Sequence, residues 1–439
     1  MNYPPYHLSN RTRSIIFAVF TGVFLIAAPT LSLYTAGYRL NTGSFGISRI
    51  GVLSVDIIPK DATTLLNGKM VGTSLPLRLT NLTPGTYNLR IEKSGYLPLI
   101  KDIVIEQNKT TYIKDLSLFA PTNPDPVELN DTLRDIAWSF NGNFLVEKFQ
   151  VGTSTKLTMF DTIQELTTPI ETKHPDTTPK IFWSEKSNTV AILEQQTSST
   201  NVMVLAGAAP LQKTSLKIFG HVSNWQWKQN FYKDMFVVRS GQLVYTFDTT
   251  KVSDPQTLST TSSLWYVDND DQDWFFDENS KSLIGEKENL YLGVSDVKKI
   301  VDINKNRAIV QTNAGLTIVV RDDKKEVKNI STTNFFYDDN RKEYIAWSPW
   351  ELWTVYQDGH VTLLNRMSEA IVQVAALDET GQLLVVTSDK LLGFNPGYYL
   401  TQEILSGVNV EKAAVNEKTR TIYFFGTWNQ KKGLYKLKY

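Results

Sequence analysis

The pattern of apolar and polar positions changes twice along the 439 residues. Between residues 14 and 38 there is no charge, and Ile15 to Phe20, Val23 to Ala28, Leu31 and Leu33 form a dense apolar run. A helix rises about 1.5 Å per residue, so about 20 such residues cross a hydrocarbon core of roughly 30 Å. A transmembrane anchor is predicted over 14–38, behind a short cytoplasmic tail, 1–13. Beyond it the apolar positions recur every second residue in short runs separated by Gly, Pro, Asn and Asp, the signature of strands and turns. From about Asn130 to Tyr439 this strand-and-turn pattern itself repeats.

The rival reading of the apolar run is a cleaved signal peptide. A cleavage site needs small residues at positions −3 and −1. Ala28 has Ile26 upstream and Pro29 downstream, and Ala36 has Tyr34 upstream, so neither fits and a retained anchor is expected. Pro29 is tolerated in a membrane span, and Tyr34 and Tyr38 suit its interface. Arg11 and Arg13 precede the span and Arg39 follows it. Two charges against one place the N-terminus inside and the β body outside the cytoplasm.

After a Gly/Ser-containing linker, residues 41–48, strands are expected at Gly51–Ile58, Thr63–Leu66, Leu77–Leu79, Tyr87–Glu92 and Ile100–Ile105. Asn67-Gly68 is a strong two-residue hairpin signal, and Pro84-Gly85 marks another turn. The run Pro59-Lys60-Asp61-Ala62, followed by Asn67-Gly68, Gly72-Thr73 with Pro76, Leu82-Thr83-Pro84-Gly85-Thr86-Tyr87 and Gly95-Tyr96, resembles the PEGA domain. The resemblance covers about residues 50–118. It implies a small β-sandwich of surface and envelope proteins, a binding or spacer module and not an enzyme. Pro121, Pro124 and Pro126 then predict a semi-rigid linker over 119–129.

The repeat is clearest at Trp138-Ser139, Trp183-Ser184 and Trp227-Lys228. Weaker copies stand at Val267-Asp268, Val301-Asp302, Tyr337-Asp338, Leu377-Asp378 and Val415-Asn416. The spacing averages about 40 residues, the period of a propeller blade. A lone four-stranded sheet cannot bury both faces, whereas sheets stacked radially around an axis can. Eight units are counted over 130–439, with seven blades as the alternative. The last unit supplies three strands, and Val127 to Leu129 is the segment available to complete it. The blades resemble degenerate TolB-like or WD40-like propellers, without the Trp-Asp and Gly-His signatures of WD40. The expected fold class is therefore all-β: an N-terminal transmembrane helix, a PEGA-like sandwich, then a propeller of eight or seven blades.

Composition narrows the chemistry. Lys plus Arg and Asp plus Glu both number 45, so the basic excess that phosphate backbones select is missing and no nucleic-acid partner is expected. The chain has no cysteine, which excludes disulfides, thiolate metal sites, cysteine nucleophiles and a lipidated cysteine. His7, His174, His221 and His360 are widely separated and read as turn or surface residues. The acidic run from Asp268 to Asp273 is the best metal candidate. Aligned to a calcium loop, it has Asp273 where glycine is needed and Asn279 where the bidentate glutamate is needed, so a solvated turn is the expected reading, with a weak calcium site as its alternative. No nucleophile elbow, phosphate loop or dinucleotide fingerprint is found. Trp138, Trp183 and Trp227 occupy the repeat position and are expected in the core, whereas Trp350, Trp353 and Trp428 fall outside it and are expected at the surface.

No catalytic, cofactor-binding or metal-binding residue is therefore predicted, and no cofactor. The expected function is a single-pass, extracytoplasmic binding or scaffold protein of the cell envelope. Its expected partners are the lipid bilayer, through the helix, and an envelope protein or glycan. One alternative is a propeller enzyme acting on envelope glycans or peptides, which requires carboxylates, Arg or His in the central funnel. The other is a structural subunit of a membrane complex, which requires a large exposed apolar patch.

Overall fold

A computed structural model describes residues 9–35, 38–41, 46–120, 122–207, 211–229, 234–258, 262–322, 326–332 and 334–439. The chain forms two compact units that meet in sequence between Phe119 and Ala120.

The first unit opens with one α-helix, Asn10–Thr35. It begins earlier than the apolar run because Ser9 caps it: the Thr12 amide donates to Ser9 Oγ at 3.2 Å. Arg11 and Arg13 thus lie in its first turns. Its apolar side chains are bare; Phe17, Phe20 and Ile26 are more than two-thirds exposed. The helix is long and apolar enough to cross a membrane, and none of its best membrane-length window is buried. It ends before Tyr38, which opens a hairpin of Tyr38–Asn41 with Gly46–Arg49. The stretch expected as a linker therefore holds paired strands. The expected tail residues 1–8, with His7, and the span residues 36–37 lie outside the described residues, as do the side chains of Tyr34, Tyr38 and Arg39.

Residues 50–118 form two facing sheets. One has the order Leu77–Leu82, Gly51–Ile58, Thr110–Ser117; the other runs Lys69–Gly72, Thr63–Leu66, Gly85–Glu92, Leu99–Ile105. Leu53, Val55 and Ile57 alternate inward against Leu89, Ile91 and Ile103, all at most 3% exposed. Asn67 and Gly68 both take positive φ (49° and 75°) in the turn joining Thr63–Leu66 to Lys69–Gly72, as a primed hairpin turn requires. The expectation that Ile100–Ile105 is the last strand is corrected. Thr110–Ser117 follows and pairs in parallel with Gly51–Ile58. Its register shifts opposite Asp56 and Ile58, and the positive φ of Asp115 (58°) breaks the alternation that would have revealed it.

The second unit is a ring of sheets. Seven four-stranded antiparallel sheets run in sequence over residues 133–170, 180–219, 224–257, 265–291, 297–330, 334–366 and 371–406. An eighth comprises Asn409–Asn416, Thr421–Trp428 and Lys431–Lys438, with Asp125–Glu128 as its fourth strand. We number these blades 1 to 8. The Pro-rich segment is thus not a free linker. Pro126 pairs opposite Tyr435 on the outer edge, where a residue without an amide proton is accepted. Thr122 Oγ1 also donates to the Lys438 carbonyl at 2.5 Å.

Apolar clusters join successive blades from 1 to 7. Leu157 and Met159 of blade 1 meet Val190 and Ile192 of blade 2, and the series continues through Phe236, Trp265, Trp274, Val310, Ile345 and Leu383. Blades 7 and 8 are linked by the Gln373 amide, which donates to the Ala413 carbonyl (2.7 Å) and accepts from its N–H (2.9 Å). Gln226 bridges to Val267 between blades 3 and 4 in the same way. The circle closes where Tyr423, Phe425 and Leu434 of blade 8 pack on Leu133, Ile136 and Phe160 of blade 1.

The repeat read from sequence acquires a physical meaning here. Every aligned position sits at or near the end of a blade's innermost strand, and the next residue commonly caps the turn that follows. Ser139 Oγ accepts from the Phe144 amide (3.1 Å), Asp268 from those of Asp270 and Gln272 (2.9 Å each), Asp338 from that of Asn340 (3.0 Å), and Asp378 from that of Thr380 (3.0 Å). Ser, Asp and Asn therefore substitute for one another without changing the blade. Gly142, in the first such turn, has φ of 64°, and a Cβ there would lie 2.0 Å from the Val415 carbonyl of blade 8. Gly142→Ala is expected to cost about 2–3 kcal/mol by combining strain at positive φ with overpacking at the ring closure. Calorimetry should show a lower transition temperature, whereas Gly241→Ala, at similar φ but in open space, should cost less.

Candidate ligand-binding channel

The innermost strands leave two adjoining cavities at the inner edge of the ring, of about 630 and 580 Å³. Trp183, Glu185 and Tyr337 line both, so the two adjoin, and together they are called the axial channel. The first is walled by blades 2 to 6, and the second by blades 1, 2, 6, 7 and 8.

Trp138, Trp183 and Trp227 have two roles. Each packs against an inter-blade cluster, as expected, but each is only half-buried and turns the rest of its ring to the channel. Trp350 is 55% exposed. The expectation that Trp353 and Trp428 are surface residues is corrected: both are half-buried. Trp353 packs with the cluster of Ile318 and Tyr344 and donates Nε1–H to Glu351 at 3.2 Å.

The first cavity carries charge of both signs. Arg307 is 1% exposed, pairs with Asp302 at 3.2 Å, donates to the Val355 carbonyl at 3.0 Å and to that of Tyr356, and lies 5.0 Å over the Tyr344 ring. Burial pushes the Asp302 carboxyl above the usual range, and Arg307 opposes the rise. Burial raises Glu185 too, with Lys299 opposing and Asp302 adding. Lys299 is lowered by burial and supported by Glu185. Glu185 and Lys299 are accessible from the channel while protein surrounds them, which explains why they are exposed yet desolvated. Burial, followed by the fields of Asp302 and Glu185, raises the Tyr266 and Tyr344 hydroxyls well above 10.

The second cavity is aromatic and acidic. Trp138, Phe140, Phe336 and Trp347 line it beside Asp338, Asp339, Glu411 and Glu417. Three of its charges are already satisfied: Lys412 pairs with Asp135 (2.5 Å), Glu411 with Lys432 (2.5 Å) and Asp339 with Lys342 (2.8 Å). Glu417 is different. Its Oε1 is buried without a hydrogen-bond partner among the described residues. Burial, then Glu379, Asp378 and Asp338, push its carboxyl up to about 7, against one favourable bond from the Glu379 backbone.

The acidic run 268–273 forms the turn after the innermost strand of blade 4. Asp268 is consumed as its cap and also accepts from Trp274 Nε1 (2.9 Å), Asp273 accepts from Trp265 Nε1 (2.9 Å), and Asp271 meets Lys228. Among the described residues no group of three or more His, Cys, Asp or Glu is arranged to hold a metal ion. His174, His221 and His360 stay in separate loops beside Gln196, Gln195 and Asp358. Sequence reasoning missed the channel charges. The signal was present: reading two residues beyond each aligned position yields Phe140, Glu185, Asn269, Asp339, Glu379 and Glu417 in six of the eight units, and of these only Glu379 does not line the channel.

Comparison with a family model agrees with the first unit. Residues 50–117 match the PEGA domain family, so a PEGA domain precedes the propeller. No curated protein matches the chain. Among solved structures, the extracellular domain of BT4673 from B. thetaiotaomicron is 11% identical at a TM-score of 0.35. It matches over 84% of this chain, and this chain covers 60% of that one. The β-propeller domain of Myceliophteria thermophila Cps50 (Swd1) is 12% identical at a TM-score of 0.40, over 72% of this chain and 99% of that one. BBS1N, solved in complex with ARL6DN, is 10% identical at a TM-score of 0.39, over 73% and 96%.

The position of Glu417 has a thermodynamic consequence. A carboxyl raised from 4.5 to about 7 by folding destabilises the folded state when ionised. Glu417→Gln should therefore stabilise the protein by about 1–2 kcal/mol above pH 7, after allowing for partial solvent screening. The gain should shrink as pH falls and vanish below the ordinary glutamate range, where the acid is neutral in both states. Thermal melts of both proteins across pH measure this difference directly.

Proposed function

We propose that this chain is a non-catalytic, single-pass membrane protein of the cell envelope that holds a partner in the axial channel of its propeller. The carrying observation is the channel: two adjoining cavities whose walls combine ring faces with a carboxyl of which one oxygen lacks a partner among the described residues. Such a site gains from desolvating apolar ligand surface and from compensating charge. The apolar helix supports anchoring in a bilayer, since the exposed side chains of Ile15 to Leu31 are unfavourable in water. The charges flanking the apolar run, Arg11 and Arg13 against Arg39, favour an internal N-terminus, and the PEGA domain suits an extracytoplasmic body.

The anchor reading expects the full chain to resist alkaline extraction from membranes, and a chain beginning at Gly51 to be soluble and β-rich by circular dichroism. Insolubility of the shortened chain overturns it. The channel reading expects Trp183→Ala to abolish partner capture from envelope extracts without lowering β content.

A catalytic reading draws on a different observation. Glu185 and Asp302 are two carboxyls raised by burial in one cavity, beside the depressed Lys299. Raised acids can donate protons near neutral pH. Under this reading the protein cleaves envelope glycans or peptides, and Glu185→Gln stops product release. Absence of products by mass spectrometry from wild-type incubations removes it.

A further inference from the structure

We propose that the second cavity binds a peptide presenting a lysine or arginine side chain, its cation at Glu417 and its apolar stem against Trp183, Phe336 and Trp347. The inference rests on the channel being a binding site and names what enters it.

Charge complementarity is the first argument. The groups that bear on Glu417 are Glu379, Asp378 and Asp338, all acids, contributed by blades 6 and 7. The cations nearby are already held: Arg341 by Glu343, and Lys412 by Asp135. An entering ammonium or guanidinium would supply the missing counter-charge, in a cavity whose walls keep it from being screened.

The walls then select what carries the charge. Trp347 is only 7% exposed and lines this cavity with Trp183 and Phe336. Ring faces suit a ligand that carries hydrocarbon beside its cation, which a peptide with apolar flanking residues supplies more fully than a simple polyamine. Ring faces also attract the cation itself. A sugar gains less here, because several polar side chains of this wall are already bonded. Asn141 accepts from Ser139 Oγ and the Asn143 amide, Ser184 bonds Asp234, and Gln373 ties blade 7 to blade 8. The volume of 580 Å³ falls within the range of about 300–1,000 Å³ of ligand pockets. Exposed Phe140 and Val372 extend the apolar wall for residues flanking the cation.

The test titrates the full-length protein in detergent with a dye-labelled Gly-Phe-Lys-Phe-Gly peptide, its norleucine counterpart, and spermidine, read by anisotropy and by tryptophan fluorescence. The lysine peptide should bind about tenfold or more tighter than the norleucine peptide, the scale of one charge-assisted hydrogen bond. Its affinity should rise from about pH 6 to pH 8 as Glu417 ionises while the lysine stays charged. Glu417→Gln should lose about tenfold in affinity although it stays folded and is expected to be more stable at pH 8, and Asp270→Asn, on an exposed turn, should lose nothing. Equal binding of the norleucine peptide, unchanged affinity in Glu417→Gln, or spermidine binding as tightly as the peptide each overturns the proposal. If an envelope partner is captured equally by wild type and Glu417→Gln but lost in Trp183→Ala, the channel remains a binding site and the cation assignment alone fails.

Discussion

The pairing of Asp125–Glu128 with Lys431–Lys438 is the contact on which the rest of the propeller depends. Each blade has two apolar faces, and each face needs a neighbour. In an open stack the first and last blades would each leave one face in water. Carrying the first strand of the unit around to complete the last sheet joins segments about 300 residues apart, and blade 8 then packs its apolar face on blade 1. It also covers an edge strand whose unpaired amides would otherwise recruit another chain.

Closure creates the channel as a by-product. When innermost strands of several sheets converge on an axis, their ends cannot all meet, and the residues there face a shared space. In this chain that space is divided chemically. One side balances Glu185 and Asp302 against Lys299, Lys186 and Arg307, so its charges are largely compensated. The other side gathers acids from blades 6 to 8 around Glu417 and faces them with rings. An uncompensated buried acid costs stability, which the surplus of a large closed core can carry. Such local cost is the physical mark of a surface shaped for something other than folding.

Much of this was legible along the chain. The helix, the PEGA turns at Asn67-Gly68 and Pro84-Gly85, and the period of the blades follow from local rules, because turns and alternation are decided by neighbours in sequence. Thr110–Ser117 was missed because a bulge at Asp115 breaks its alternation. The segment 119–129 was read as a linker because three prolines outweighed four strand residues, although Val127 to Leu129 was recognised as able to complete the last blade. Trp353 and Trp428 were misplaced because repeat register says nothing about rings outside it.

The sequence by itself determined the order of parts and the type of each: an apolar helix, a PEGA domain, and repeating units with a Ser, Asp or Asn after the aligned position in all but the third. Only the tertiary structure decided which side chains share the axis. Glu185 comes from blade 2 and the Asp302–Arg307 pair from blade 5, while Asp338, Glu379 and Glu417 come from blades 6, 7 and 8, separated by tens of residues or more in sequence. Their pKa shifts and their lack or possession of partners arise from burial and through-space charge, which exist only once the ring has closed.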